Sequence, residues 1–262
     1  MTFSPGNVQV NIPFTMLYES YLERFIEYKL NPEIGFDAEA LDRFSISDVA
    51  RVAKELSAAG LVTTLHAPFI DLCAGSPDPR VRGLTRERLE QALEMVPVLK
   101  PRTFVCHAGY DEKRYVYIKD LWVEKSIELW SWLGSRVKDQ GSVLMLENVF
   151  EKGPEEMSIL MEGLDKEEVG FCLDTGHQAA FGRVPLDEWV ASLHRRIGQL
   201  HINDNRGRRD DHLAIGKGSI DFKRFFEQIK AVKPKQPVIT LEPHTEEDLW
   251  PSFEYLKKVW PW

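Results

Sequence analysis

Six short apolar runs spread along this chain each end in residues able to bind a metal ion: TTLHAPF, TFVCHAGY, VLMLENVF, GFCLDTGH, GQLHINDN and PVITLEP. The residues in question are His66, His107, Glu147, Asp174 with His177, His201 and Glu242. A seventh position, Asp210 with His212, falls in the loop RRDDHLAIGKGS. Apolar runs of this length between polar segments read as strands buried on both faces, the habit of parallel sheets. Ligands carried at the ends of many such strands converge only if the sheet closes on itself. The pattern therefore predicts a barrel with a metal at its mouth.

Eight strand-like runs can be placed, at residues 8–12, 33–36, 61–66, 102–107, 143–147, 169–173, 199–203 and 237–242, the second being the faintest. Helical periodicity fills the gaps. In SDVARVAKELSAAG, apolar Val49, Val52, Ala53 and Leu56 recur at helical spacing and Gly60 supplies the stop. LTRERLEQALEMVPVL and WVEKSIELWSWLGSRV follow, with Pro97 expected to bend or end the first. PLDEWVASLHRRI starts at Pro185, and IDFKRFFEQIKAV and EEDLWPSFEYLKKVW complete the set. Strands alternating with helices, without a linker, predict one domain over residues 1–262, an α/β fold of the single-domain (β/α)8 TIM barrel type. Such barrels take about 250 residues and place their sites at the C-terminal ends of the strands.

A hydrophobic content of 43% and a charged content of 28% are ordinary for a globular protein. No apolar run is long enough to span a membrane, and the segment MTFSPGNVQVN has neither the basic nor the apolar region of a secretory signal. Cys73, Cys106 and Cys172 are odd in number and lack CxxC spacing, so free thiols in a reducing cytoplasm are expected. The formal charge of −8 argues against nucleic acid as a partner, less so if bound metal neutralises Glu147, Asp174, Asp210 and Glu242.

Glu147, Asp174, His201 and Glu242 come from four successive strands and can meet over the barrel axis. A mixed oxygen and nitrogen shell suits Mn, Co, Zn or Mg. His66, His107, His177, Asp210 and His212 either hold further ions, up to three in all, or hydrogen-bond a substrate.

These residues carry a family resemblance. LHAPF, CHAG, LEN, LDTGH, LHINDN, DDHLAIGKGSIDF and LEP, in this order over nearly the whole chain, resemble the xylose isomerase-like barrel superfamily of sugar isomerases and epimerases, hydroxypyruvate isomerase, inosose dehydratase and endonuclease IV. The ketose epimerase branch implies one ion held by Glu147, Asp174, His201 and Glu242. There the two glutamates serve as acid and base through an enediolate, with His177 and Arg206 on substrate oxygens. The endonuclease IV branch implies three zincs on all nine residues and cleavage of abasic DNA. That branch begins with a Gly-Ala-His type first strand, whereas this chain has VNIPFTM. On balance the sequence favours a metal-dependent isomerase or epimerase of a small sugar-like polyhydroxy carbonyl compound, with a dehydratase close by. Catalysis is then assigned to Glu147 and Glu242, with His66, His107, His177 and Arg206 facing substrate. Endonuclease IV-like hydrolysis and a non-catalytic sugar-binding barrel are the alternatives.

Other features have plainer readings. Arg206, Arg208 and Arg209 either clamp a phosphate or pair with Asp210 and Asp211. GKGS lacks the spacing of a phosphate loop and reads as a turn into a helix capped by Ser219 or Asp221. Glu151 reads as a solvated loop carboxylate. Phe14, Phe69 and Phe150 follow strands and are candidates for pocket walls, Phe69 foremost. Trp122, Trp130 and Trp132 are expected in the core. The closing WPW should seal the barrel, a homo-oligomer contact being the alternative.

Overall fold

A computed structural model describes residues 3–166 and 168–262. The strands are β1 (Gln9–Pro13), β2 (Asn31–Gly35), β3 (Thr64–His66), β4 (Thr103–His107), β5 (Val143–Glu147), β6 (Val169–Asp174), β7 (Ile197–Ile202) and β8 (Val238–Leu241). Each pairs in parallel with the next, and β1 closes on β8 through Gln9–Thr240 and Val10–Leu241. The chain is thus a closed (β/α)8 TIM barrel. The faint second run is a full strand, paired with both β1 and β3.

Local chemistry sets the helix ends. Ser45 and Asp48 cap the helix Ile46–Ala58 reciprocally, which satisfies two donors that the helix itself leaves free. Val49, Val52 and Leu56 form its buried stripe, and Gly60 leaves it at φ +75°. The helix Pro79–Leu93 stops short of Pro97, which sits in the first turn of a separate short helix, Val96–Leu99. Asp221 caps Phe222–Val232 by accepting the Arg224 amide, while the Ser219 hydroxyl donates to the Asn205 carbonyl.

Trp122 and Trp130 are buried as expected, and Trp132 is half-buried beneath Arg86 at 4.1 Å. Phe14 corrects its expectation. The chain turns straight from β1 into the helical segment Phe14–Met16, so the ring is fully buried on Phe36 and Phe44, away from solvent. Past the helix Glu246–Val259, Trp262 is buried against Phe226 and Trp260, beside the strand starts at Gln9 and Val238. No helix among the described residues is long and apolar enough to cross a membrane.

The lumen is split by chemistry. Val105, Met145 and Cys172 make an apolar cluster of their own. Glu33, Thr64, Thr103, Gln199 and Thr240 are also buried, and they satisfy one another by hydrogen bonds. That polar column lies beneath the residues at the mouth.

Candidate metal centre

β3, β4, β5 and β6 end at His66, His107, Glu147 and Asp174; His201 is the penultimate residue of β7, and Glu242 directly follows β8. Register aligns them, since His107 lies opposite Glu147 and Asp174 opposite His201. Glu147 is the hub. Its Oε2 lies 3.2 Å from His66 Nε2, 3.6 Å from His107 Nε2 and 3.3 Å from His201 Nδ1, and its Oε1 lies 3.1 Å from His177 Nδ1. Glu242 Oε1 is 3.0 Å from His201 Nδ1. Asp210 Oδ2 stands 2.8 Å from His212 Nε2 and 3.4 Å from His177 Nε2.

Potential ligand atoms fall into groups lying within 4.8 Å of one another: His66–His107–Glu147, Glu33–His201–Glu242, His177–Asp210–His212, and Glu147 with either Cys172 and His201 or Asp174 and His177. The four residues expected to share one ion are spread over adjoining groups: Asp174 falls with Glu147 and His177, Glu242 with His201 and Glu33, and Glu147 with His201.

Four histidines are each anchored through one ring nitrogen. His66 Nδ1 donates to Ala67 O (2.9 Å), His212 Nδ1 to Glu242 O (2.9 Å), His177 Nδ1 to Asn148 O (3.0 Å) and His201 Nε2 to Glu33 Oε1 (2.9 Å). Anchoring of this kind fixes the tautomer of metal-bound imidazoles. The other nitrogens then face carboxylates of the mouth, acceptor against acceptor, and only a cation or added protons reconcile them. His201 Nδ1 and Asp210 Oδ1 are buried with no hydrogen-bond partner, as metal-ligating atoms would be. The residues therefore fit a divalent ion.

The electrostatics agree. Burial works to raise Glu242, yet the His201 imidazole beside it draws its carboxyl down to about 2. Burial works to lower His212, yet the hydrogen bond to Asp210 lifts it to about 9. Burial pushes His107 down to about 3, outweighing the Glu147 carboxylate 3.6 Å away. Burial also holds the Cys172 thiol protonated beside His201.

Neighbouring polar groups explain the motifs. In LEN, the Asn148 side chain clasps the Asp174 backbone, donating to its carbonyl at 3.0 Å and accepting its amide at 2.9 Å. In LHINDN, Asn203 Nδ2 reaches Glu242 Oε2 at 3.2 Å and Asp174 Oδ2 at 3.5 Å. The glycine of LDTGH makes room for that amide, because a Cβ on Gly176 would fall 1.9 Å from Asn203 Oδ1. Asp204 accepts the amides of Gly216, Gly218 and Ile220, so GKGS is a turn cinched onto a carboxylate.

Glu151 overturns its expectation as a solvated carboxylate. It is 2% exposed and accepts the amides of Val149 and Tyr110, stitching the loops after β4 and β5 together. Phe69 is 44% exposed and stacks on His107 at 4.2 Å, and Phe150, also exposed, meets Phe181. Arg206, Arg208 and Arg209 are exposed, and Asp210 is bonded to His177 and His212 rather than to them. Two residues escaped the sequence. His244 stacks on His212 at 3.8 Å, and Glu33 grips His201 from within the lumen. A carboxylate inside a strand of an all-parallel barrel was the available signal for Glu33.

Candidate ligands at the strand ends of a closed parallel barrel sit where TIM-barrel enzymes place their active sites. The xylose isomerase-like TIM barrel family model matches residues 26–259, and the chain belongs to that family. A probable endonuclease 4 of Symbiobacterium thermophilum is 28% identical over 223 residues, 75% of either chain. The TTHB071 protein of Thermus thermophilus, soaked with zinc chloride, superposes with a TM-score of 0.83 at 26% identity, covering 97% of this chain and 98% of that one. A D-tagatose 3-epimerase-like protein superposes with a TM-score of 0.81 at 25% identity, covering 96% and 97%. Family and neighbours together support an enzyme of isomerase, epimerase or endonuclease type.

Proposed function

We propose that this chain is a metal-dependent hydrolase of phosphate esters that works with up to three divalent ions. One observation carries the reading: both oxygens of Glu147 face imidazole nitrogens, and Glu147 is shared between ligand groups. A glutamate acting on a substrate proton needs an oxygen open to substrate. A carboxylate walled in by four histidines instead suits neighbouring ions that share a ligand. His66, His107 and Glu147 would hold one ion, Glu147, Asp174, His201 and Glu242 a second, and His177, Asp210 and His212 a third. Bound ions would supply Lewis-acid stabilisation of phosphoryl charge and an activated water.

The chain's own contribution is to orient those ligands and draw in the substrate. Exposed Arg206, Arg208 and Arg209 at the mouth favour an anionic group. The formal charge of −8 favours a small phosphodiester over a duplex. Three free cysteines fit a reducing cytoplasm.

A second reading, sugar isomerisation or epimerisation, has support of its own. Glu147 and Glu242 approach His201 Nδ1 at 3.3 and 3.0 Å, as a flanking acid–base pair around one ion would. The epimerase-like neighbour adds weight. The deciding experiment joins metal analysis to two assays on the loaded protein. Three ions per chain with hydrolysis of bis(p-nitrophenyl) phosphate or an abasic oligonucleotide supports hydrolysis. One ion per chain with glutamate-dependent solvent exchange into ketoses overturns it in favour of the isomerase.

A further inference from the structure

The lumen holds a carboxylate that no reading of the mouth requires. Glu33, from the middle of β2, has no solvent exposure. Its Oε2 accepts Thr64 Oγ1 at 2.8 Å, Gln199 Nε2 at 2.6 Å and Thr240 Oγ1 at 3.0 Å. Its Oε1 has Asn11 Nδ2 at 3.5 Å and His201 Nε2 at 2.9 Å. Burying an anion carries a heavy desolvation cost, which donors offset in part and a positive charge nearby offsets further. Among the described residues, no lysine or arginine is bonded to it. The nearest place for positive charge is the His201 ring itself, 2.9 Å away, with the ion position on its far side.

We propose that Glu33 is a positioning residue of the metal centre: it holds the Nε2–H of His201, so that Nδ1 is the lone pair offered between Glu147 and Glu242. The Glu33 charge works against the obvious rival. Gln199 Nε2 gives one hydrogen to Glu33 Oε2 at 2.6 Å and lies 3.1 Å from both Thr240 Oγ1 and His201 Nε2, which compete for the other. Gln199 Oε1 meanwhile accepts the Thr103 hydroxyl at 2.5 Å. A lone pair on His201 Nε2 would face the Glu33 carboxylate at 2.9 Å, acceptor against acceptor, whereas an N–H there is accepted by it. Glu33 is left as the acceptor that decides the tautomer. Through it the middle of β2 sets the aim of one ligand at the mouth.

This inference rests on the metal-centre reading, and its test separates the two. Cobalt(II) is titrated into wild type and Glu33→Gln and followed by its visible spectrum. Loss of partners that orient metal ligands typically costs about 10–100-fold in metal affinity. The expected result is a loss of that size in Glu33→Gln with an altered cobalt spectrum. Glu33→Asp should recover part of the affinity, and Thr64→Val, which removes a donor without touching His201, should retain wild-type affinity. In a His201→Ala background, Glu33→Gln should cost nothing further. Wild-type affinity in Glu33→Gln, whatever its thermal stability, overturns the role. A wild type that binds no cobalt overturns the metal centre itself. Should Glu33→Gln not fold, 15N-histidine spectra of the zinc-loaded wild type decide alone: a proton on Nε2 of His201 supports the proposal, and one on Nδ1 overturns it.

Discussion

Glu147→Gln is the most searching perturbation of this site. The change keeps volume and replaces one ligating oxygen by an NH2 group. Glu147 contributes to the groups containing His66 with His107, and His201, but not to His177–Asp210–His212. If those groups hold separate ions, the variant should keep one of three. The magnitude follows from linkage. With free metal about a hundredfold above each Kd, each ion adds about 2.7 kcal/mol, so losing two removes about 5.4 kcal/mol. At about 2 °C per kcal/mol for a chain of this size, the metal-induced rise in Tm should shrink by about 11 °C. Elemental analysis after gel filtration gives the stoichiometry, and calorimetry with and without zinc gives the shift. A variant that binds as many ions as wild type, or keeps the full shift, refutes the shared-ligand reasoning. A fall from one ion to none would instead point to a mononuclear centre.

Further expectations come from individual contacts. Gly176→Ala should weaken metal binding more than stability, since the new methyl displaces the Asn203 amide from Asp174 and Glu242; isothermal titration beside a melting curve separates the effects. In the metal-free protein His212 keeps its proton up to about pH 9, so metal must displace it, and apparent affinity at that position should fall about tenfold per pH unit below about 9. Titrations that show affinity independent of pH over that range would contradict this. Burial raises Glu151 to about 7, above its ordinary value of 4.5. The unfolded chain therefore releases this proton first, and the contribution to stability is lost as pH rises between those values, by up to about 3 kcal/mol. Urea melts of wild type and Glu151→Gln across that window should diverge, with the decline absent from the variant.

The barrel was legible because both-face burial turns its strands into continuous apolar runs, and the ligands because each run stops at one. Less legible was whatever depends on which way a side chain points once the barrel has closed. Glu33 opens the faintest strand run, and only the closed barrel shows it turned inward onto Thr64 and Gln199. Glu151 sits in a polar loop sequence, yet two loop amides bury it. Phe14 and Phe69 both trail a strand; one chain turns at once into a helix and hides its ring, the other runs on as loop and leaves it exposed. Asn203 and Gly176 form a steric pair from different strand ends, and a single sequence does not show such a pair.

Asp174 also caps the helix Thr175–Phe181, accepting the His177 amide at 2.5 Å while its other oxygen faces Asn203. One carboxylate thus fastens the start of a helix and stands among the ligands, and the His177 ring rides on that same first turn. Stripping it away unhitches scaffold and chemistry together. An inactive Asp174→Ala enzyme would therefore say little about catalysis until His177 is shown to have stayed in place.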